Sequence, residues 1–111
     1  MSVYVSVTGF RAKSGVRLLR FWWHALRSLA QARRAAGNLK TEARSVDGIY
    51  HTMTVWADEA CMRAYLRSGA HRRAMTNFRA IGSGKTCGFL SEADPGWDAA
   101  YARFQRDARE V

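Results

Sequence analysis

Acid is scarce in this chain: nine aspartates and glutamates stand against eighteen lysines and arginines, a formal net charge of +9. Fifteen of the cations are arginines, spread through every segment. Such a balance describes solubility and non-specific attraction to anions rather than a site. Cysteine is scarce too. Cys61 and Cys87 are the two in the chain, and they belong to no C-x-x-C pattern. They read as buried free thiols of a reducing, cytoplasmic compartment. No apolar run reaches bilayer-spanning length, so no membrane partner is expected. The start, MSVYVSVTGF, lacks a basic region followed by an apolar stretch, so no secretory leader is predicted. The three histidines, His24, His51 and His71, fit neither H-E-x-x-H nor a histidine–cysteine metal pattern, and no metal site is expected. There is no serine nucleophile elbow and no carboxylate pair placed for hydrolysis. GSGK at 82–85 lacks the upstream glycine of a phosphate-binding loop, where Arg79 stands, and it precedes a strand rather than a helix.

What the chain has is enough apolar material for one core. Its 111 residues are 48% hydrophobic, which predicts a single domain over 1–111. SVYVSVTGF alternates, with Val3, Val5 and Val7 on one face and Tyr4, Ser6 and Thr8 on the other, as a half-buried strand does. VRLLRFWWHALRSLAQARRAAG reads as a helix that Gly37 ends. On it Leu19, Trp22, Trp23, Leu26, Leu29 and Ala30 share a face, with Arg17, Arg20, His24, Arg27 and Gln31 on the other side. NLKTEARSV and IYHTMTVW are two strands, joined by the tight-turn signal Asp47-Gly48. Asp58 caps a helix, EACMRAYLR, and Ser68 caps another, GAHRRAMTNFRAI, which Gly82 and Gly84 end. KTCGFLS is a fourth strand. Asp94-Pro95 opens a last helix, with Trp97, Tyr101, Phe104 and Ala108 on one stripe. The order is βαββαβ plus a terminal helix. It predicts an α+β, ferredoxin-like domain with a core over 1–92 and a C-terminal helix over 94–111. Helices would cover one sheet face, and the other would pack against a second copy, giving a homodimeric α+β barrel.

Within this frame His71 is the candidate for chemistry. Ala74, Met75 and Phe78 follow it at helical spacing, so it begins an apolar stripe, while Arg72, Arg73 and Arg79 point elsewhere. At the third position of its helix the macrodipole favours a neutral imidazole, which can accept a proton or bind a metal. A core histidine bonded to the backbone is the competing reading. His24 lies on the arginine side of its helix. His51 alternates with Met53 and Val55, opposite in sense to Tyr50, Thr52, Thr54 and Trp56, and the sequence leaves open which set meets the helices. Trp22, Trp56, Tyr65, Met75 and Phe78 are the candidate pocket lining around His71.

The stretch HTMTVWADEACMRAYLRSGAHRRAM resembles the antibiotic biosynthesis monooxygenase group of dimeric α+β barrels, with the spheroidene-monooxygenase-like branch among the nearest. The features that carry it are a third strand ending in Val55-Trp56, then Asp58-Glu59, an aromatic-bearing helix, Ser68 and a second helical segment. The resemblance implies a pocket between sheet and helices for an aromatic or hydrophobic ligand. The group includes cofactor-free oxygenases of aromatic polyketides and haem-degrading monooxygenases. The haem degraders carry an asparagine on the first strand, a tryptophan ending the third and a histidine on the second helix. Trp56 matches the tryptophan, the histidine position falls at Met75, one turn after His71, and SVYVSVTGF has no asparagine. The expectation is therefore a monooxygenase-like protein with no cofactor, His71 acting as base; a haem-binding relative with His71 as ligand is the alternative. A non-catalytic dimeric binding protein is a further reading. So is a weak, non-specific nucleic-acid binder, which the charge suits but which lacks the base-stacking pattern of an RNA recognition motif.

Overall fold

The computed structural model describes residues 2–12, 16–67 and 82–110. In chain order these form β1 (Val3–Ala12), α1 (Val16–Arg34), β2 (Asn38–Val46), β3 (Ile49–Trp56), α2 (Glu59–Leu66), β4 (Gly82–Ser91), α3 (Trp97–Asp107) and a short β5 (Arg109–Glu110). The predicted helix over GAHRRAMTNFRAI, with His71, Met75 and Phe78, lies outside the described residues, as does the side chain of His24.

The strands make one antiparallel sheet in the order β2-β3-β1-β4-β5, so the chain is an α+β, ferredoxin-like fold. Strand β1 is the middle strand of the five. Val5 stands opposite Val55 on one side and Phe89 on the other; Val7 stands opposite Met53 and Cys87. Opposed residues share a face, so the alternation of β1 and β3 sorts the sheet into two unlike surfaces. The β2–β3 turn is the predicted one. Asp47 and Gly48 have φ of 51° and 77°, the left-handed pair that matches strand twist and that glycine enters without steric cost. Asp58 caps α2, its Oδ1 accepting the Cys61 N–H at 2.8 Å.

The structure departs from the sequence reading in several places. First, helices cover both faces of the sheet. α1 and α2 lie on the face of Tyr50 and Trp56, while Ala100 and Phe104 of α3 join Val5, Val7, Met53, Val55, Cys87 and Phe89 in the core on the other. The stripe of α3 thus fills the surface assigned to a second copy, and β5, pairing with Lys85 and Thr86 of β4, holds the end of α3 there. An uncovered sheet face is no longer a reason to expect a dimer. Second, Gly82 and Gly84 begin β4 instead of ending a helix, opposite Ala12 and Phe10; ladder pairing overrides their low strand propensity. Third, α3 starts at Trp97 with Gly96 as its N-cap. Asp94 does not cap it: one oxygen accepts the Gly96 N–H at 2.9 Å and the other takes Lys40 Nζ at 2.6 Å. Fourth, the apolar side of α1 faces water. Leu19, Trp23 and Leu26 are 73%, 62% and 60% exposed, and the small Ala32 is buried instead, which lets the helix come close to its neighbours. Both cysteines are free thiols, but only Cys87 is buried; Cys61 is half-buried. Among the described residues no helix is long and apolar enough to cross a membrane.

Candidate functional site

The α1/α2 face of β3 reads Tyr50, Thr52, Thr54, Trp56: an aromatic at each end and hydroxyls between. The Thr8 and Thr52 hydroxyls hydrogen-bond across the β1–β3 pair, and Thr54 is buried. Trp56 closes the strand and is fully buried. Its ring lies 5.2 Å from that of Tyr65 on α2, centroid to centroid. The Tyr65 hydroxyl donates to the Ser28 carbonyl of α1 at 3.0 Å, and Gln31 Nε2 of α1 donates to the Tyr65 carbonyl at 3.4 Å. Burial pushes the Tyr65 phenol far above its ordinary pKa, so it stays protonated and keeps donating. Trp56 and Tyr65, both expected in a pocket, are therefore brought together at the corner where α1, α2 and β3 meet. Trp22 is not part of it. Its ring packs edge-on against Tyr50 at 5.2 Å, and Tyr50 is six positions from Trp56, roughly 20 Å of strand rise.

The corner holds an imbalance that the sequence did not reveal. Three polar side-chain atoms there are buried without a hydrogen-bond partner: Trp56 Nε1, Asn38 Nδ2 and Ser28 Oγ. Asn38 stands directly opposite Trp56 across the β2–β3 pair, with its Oδ1 occupied by the Thr41 hydroxyl at 3.1 Å. Ser28 is tied to the Tyr65 hydroxyl through its carbonyl. A buried donor without an acceptor costs about 1–3 kcal/mol, so each of these atoms calls for a partner such as a water or a ligand group. Two N–H donors and a hydroxyl beside an aromatic pair suit a flat ligand that carries carbonyl or hydroxyl oxygens. Neither Asn38 nor Ser28 was a sequence candidate; each is an ordinary polar residue at a strand start or within a helix.

His51 lies on the other side of the sheet. It is 1% exposed, ringed edge-on by Trp97, Tyr101 and Phe104 of α3 at 5.8, 5.2 and 5.2 Å. Its Nδ1 is 3.2 Å from the Thr8 carbonyl, so Nδ1 carries the proton and Nε2 holds the lone pair. Nε2 is buried without a partner, and burial holds the imidazole below its ordinary pKa. The packing is close: a Cβ on Gly9 would come within 2.8 Å of His51 Cε1 and 2.7 Å of Phe104 Cζ. His51 is therefore a core histidine bonded to the backbone. Its Nε2, shut in by α3, does not suit a haem iron. No group of three histidine, cysteine or acidic side chains that would hold a metal occurs among the described residues.

The fold is shared with solved α+β structures. The chain is similar to SnoaB, a cofactor-independent oxygenase from Streptomyces nogalater, at 20% identity over 87% of this chain and 100% of that one, with a TM-score of 0.66. It is similar to PA3566 from Pseudomonas aeruginosa at 14% identity, 84% and 97% coverage and a TM-score of 0.72. A protein described as an antibiotic biosynthesis monooxygenase superposes at 0.67, with 13% identity and 83% and 99% coverage. No family model and no curated protein sequence matches the chain.

Proposed function

We propose that this protein binds an oxygen-bearing aromatic small molecule at the α1–α2–β3 corner and acts on it as a cofactor-free, monooxygenase-like enzyme. The observation that carries the reading is the set of unpartnered buried donors, Trp56 Nε1, Asn38 Nδ2 and Ser28 Oγ, around the Trp56–Tyr65 pair. The fold shared with a cofactor-independent oxygenase supports the reaction class. In such chemistry a base removes a proton from the ligand, the carbanion reacts with dioxygen, and a ring methylene becomes a carbonyl with loss of one water. The atoms and electrons balance without an added reductant. The donors at the corner hold the ligand's oxygens and stabilise the negative charge that deprotonation places on them. The described corner offers no base, since Tyr65 stays protonated and His51 is across the sheet. We assign that role to His71, with Met75 and Phe78 completing the lining.

The homodimer stays part of this reading, the exposed Leu90 of β4 giving it apolar surface; a monomer by light scattering at micromolar concentration removes it. The test of the binding site is titration with a hydroxylated naphthoquinone, followed by quenching of tryptophan emission. Saturable one-to-one binding is expected, weakened in Trp56→Phe, which keeps an aromatic ring of smaller size and loses the N–H donor. Unchanged affinity in that variant overturns the site. His71→Ala that binds the probe normally but turns over no substrate supports the base; a sharp Soret band with hemin, lost in His71→Ala, replaces it with the haem-binding alternative.

A further inference from the structure

The outward side of α1 is apolar where a solvated helix is polar. Leu19, Trp23 and Leu26 are 73%, 62% and 60% exposed. At about 100° per residue they form one ridge along a helix of 19 residues, about 28 Å long. Cations flank it. The Arg27 guanidinium lies 5.2 Å over the Trp23 ring, and exposed Arg33 and Arg34 fill the last turn. The charge of the whole chain is skewed the same way. Eight cations and no acid precede Glu42, whereas the rest of the chain holds ten cations and nine acids. Nearly all of the net charge of +9 therefore belongs to the first 41 residues.

From this geometry we infer that α1 docks on an anionic lipid surface, with Leu19, Trp23 and Leu26 entering the headgroup boundary and its arginines pairing with lipid phosphates. A helix that combines a Trp/Leu ridge with arginines and no acid has the make-up of an interfacial helix. A second copy is the poorer occupant, because two such faces would bring Arg27, Arg33 and Arg34 against their like charges. A nucleic-acid backbone is poorer too, because phosphate contacts leave Leu19 and Leu26 in water. This surface is separate from the candidate ligand corner, which the opposite side of α1 borders through Ser28.

The test uses the full chain with vesicles of phosphatidylcholine alone and of phosphatidylcholine with one-third phosphatidylglycerol, read by co-sedimentation and tryptophan emission. Binding to the anionic vesicles only, a blue shift, and weakening as salt rises are the expected results. Leu26→Glu and Trp23→Glu, at exposed positions, should each lower vesicle affinity at least tenfold with an unchanged melting temperature, while Trp23→Phe retains binding. Three results overturn the inference. One is no preference for anionic vesicles. Another is a solution dimer that Leu26→Glu splits, which gives the ridge to a second copy. The third is single-stranded nucleic acid that displaces the vesicles and is itself lost in Trp23→Glu.

Discussion

The two faces of the sheet are made of the same strands and do opposite things. The α3 face is dry and closed: Val5, Val7, Met53, Val55, Cys87 and Phe89 meet Ala100 and Phe104. Its histidine, His51, is neutral and enclosed in aromatics. The α1/α2 face carries threonine hydroxyls, two tryptophans with separate aromatic partners, and three buried polar atoms left unpaired. Hydrophobic burial and close packing dominate the first. On the second, packing is interrupted by donors that need an acceptor. The difference sets a side of the sheet that supplies stability against a side that, under the proposed function, takes the ligand.

The comparison is broken most sharply at Phe104. Truncation to alanine should cost about 3–5 kcal/mol, a fall of roughly 10–20 °C in melting temperature by calorimetry, with the corner chemistry untouched in whatever remains folded. Gly9→Ala presses a methyl against Phe104 and His51. It should cost about 1–3 kcal/mol by overpacking, read as a shift in the urea midpoint. On the other face, Trp56→Phe should lower stability as well, because the smaller ring leaves a cavity at a fully buried position, and should weaken the quinone probe by about 1 kcal/mol, roughly five- to tenfold, through the lost hydrogen bond.

His51 gives the α3 face a pH signature. Its imidazole titrates lower in the folded protein than in the unfolded chain, because burial disfavours the cation. The Thr8 hydrogen bond opposes that shift, and Arg44, directly opposite His51, brings a further cation to its side of the sheet. The unfolded state therefore binds more protons just below the ordinary histidine range. Stability is full above it and falls as pH drops through about 6.5. Melting temperature between pH 8 and pH 5 should show that slope, and His51→Gln should flatten it. The smallest effect belongs to the edge of the sheet. Lys40→Ala removes the pairs with Asp94 and Glu42, which are partly solvated, and should cost about 0.2–1 kcal/mol in a denaturant titration at low salt.

The sequence made much of this legible, for local reasons. Alternation and Asp47-Gly48 gave β2 and β3 their observed bounds, and Asp58 announced its helix. The stripe of α3 was visible too, but periodicity says only that a helix has an apolar face, not which side of a sheet receives it. Gly82 and Gly84 misled because a breaker signal is local while the ladder with β1 is not. On α1 the pattern showed an apolar ridge without telling whether it faces sheet or solvent. At the corner, Trp56 and Tyr65 stood out as large aromatics. Asn38 and Ser28 did not, since a polar side chain declares itself as a ligand contact only once it is buried without a partner.

The claim that ligand meets the α1/α2 face and not the α3 face is tested most directly by the indole N–H signals of the four tryptophans in solution NMR, assigned by single substitutions. On addition of the hydroxylated naphthoquinone, the Trp56 Nε1 proton should move downfield as it gains an acceptor, while the Trp97 indole of α3 stays in place. A shift confined to Trp97, with the Trp56 signal unmoved at saturation, would contradict the account.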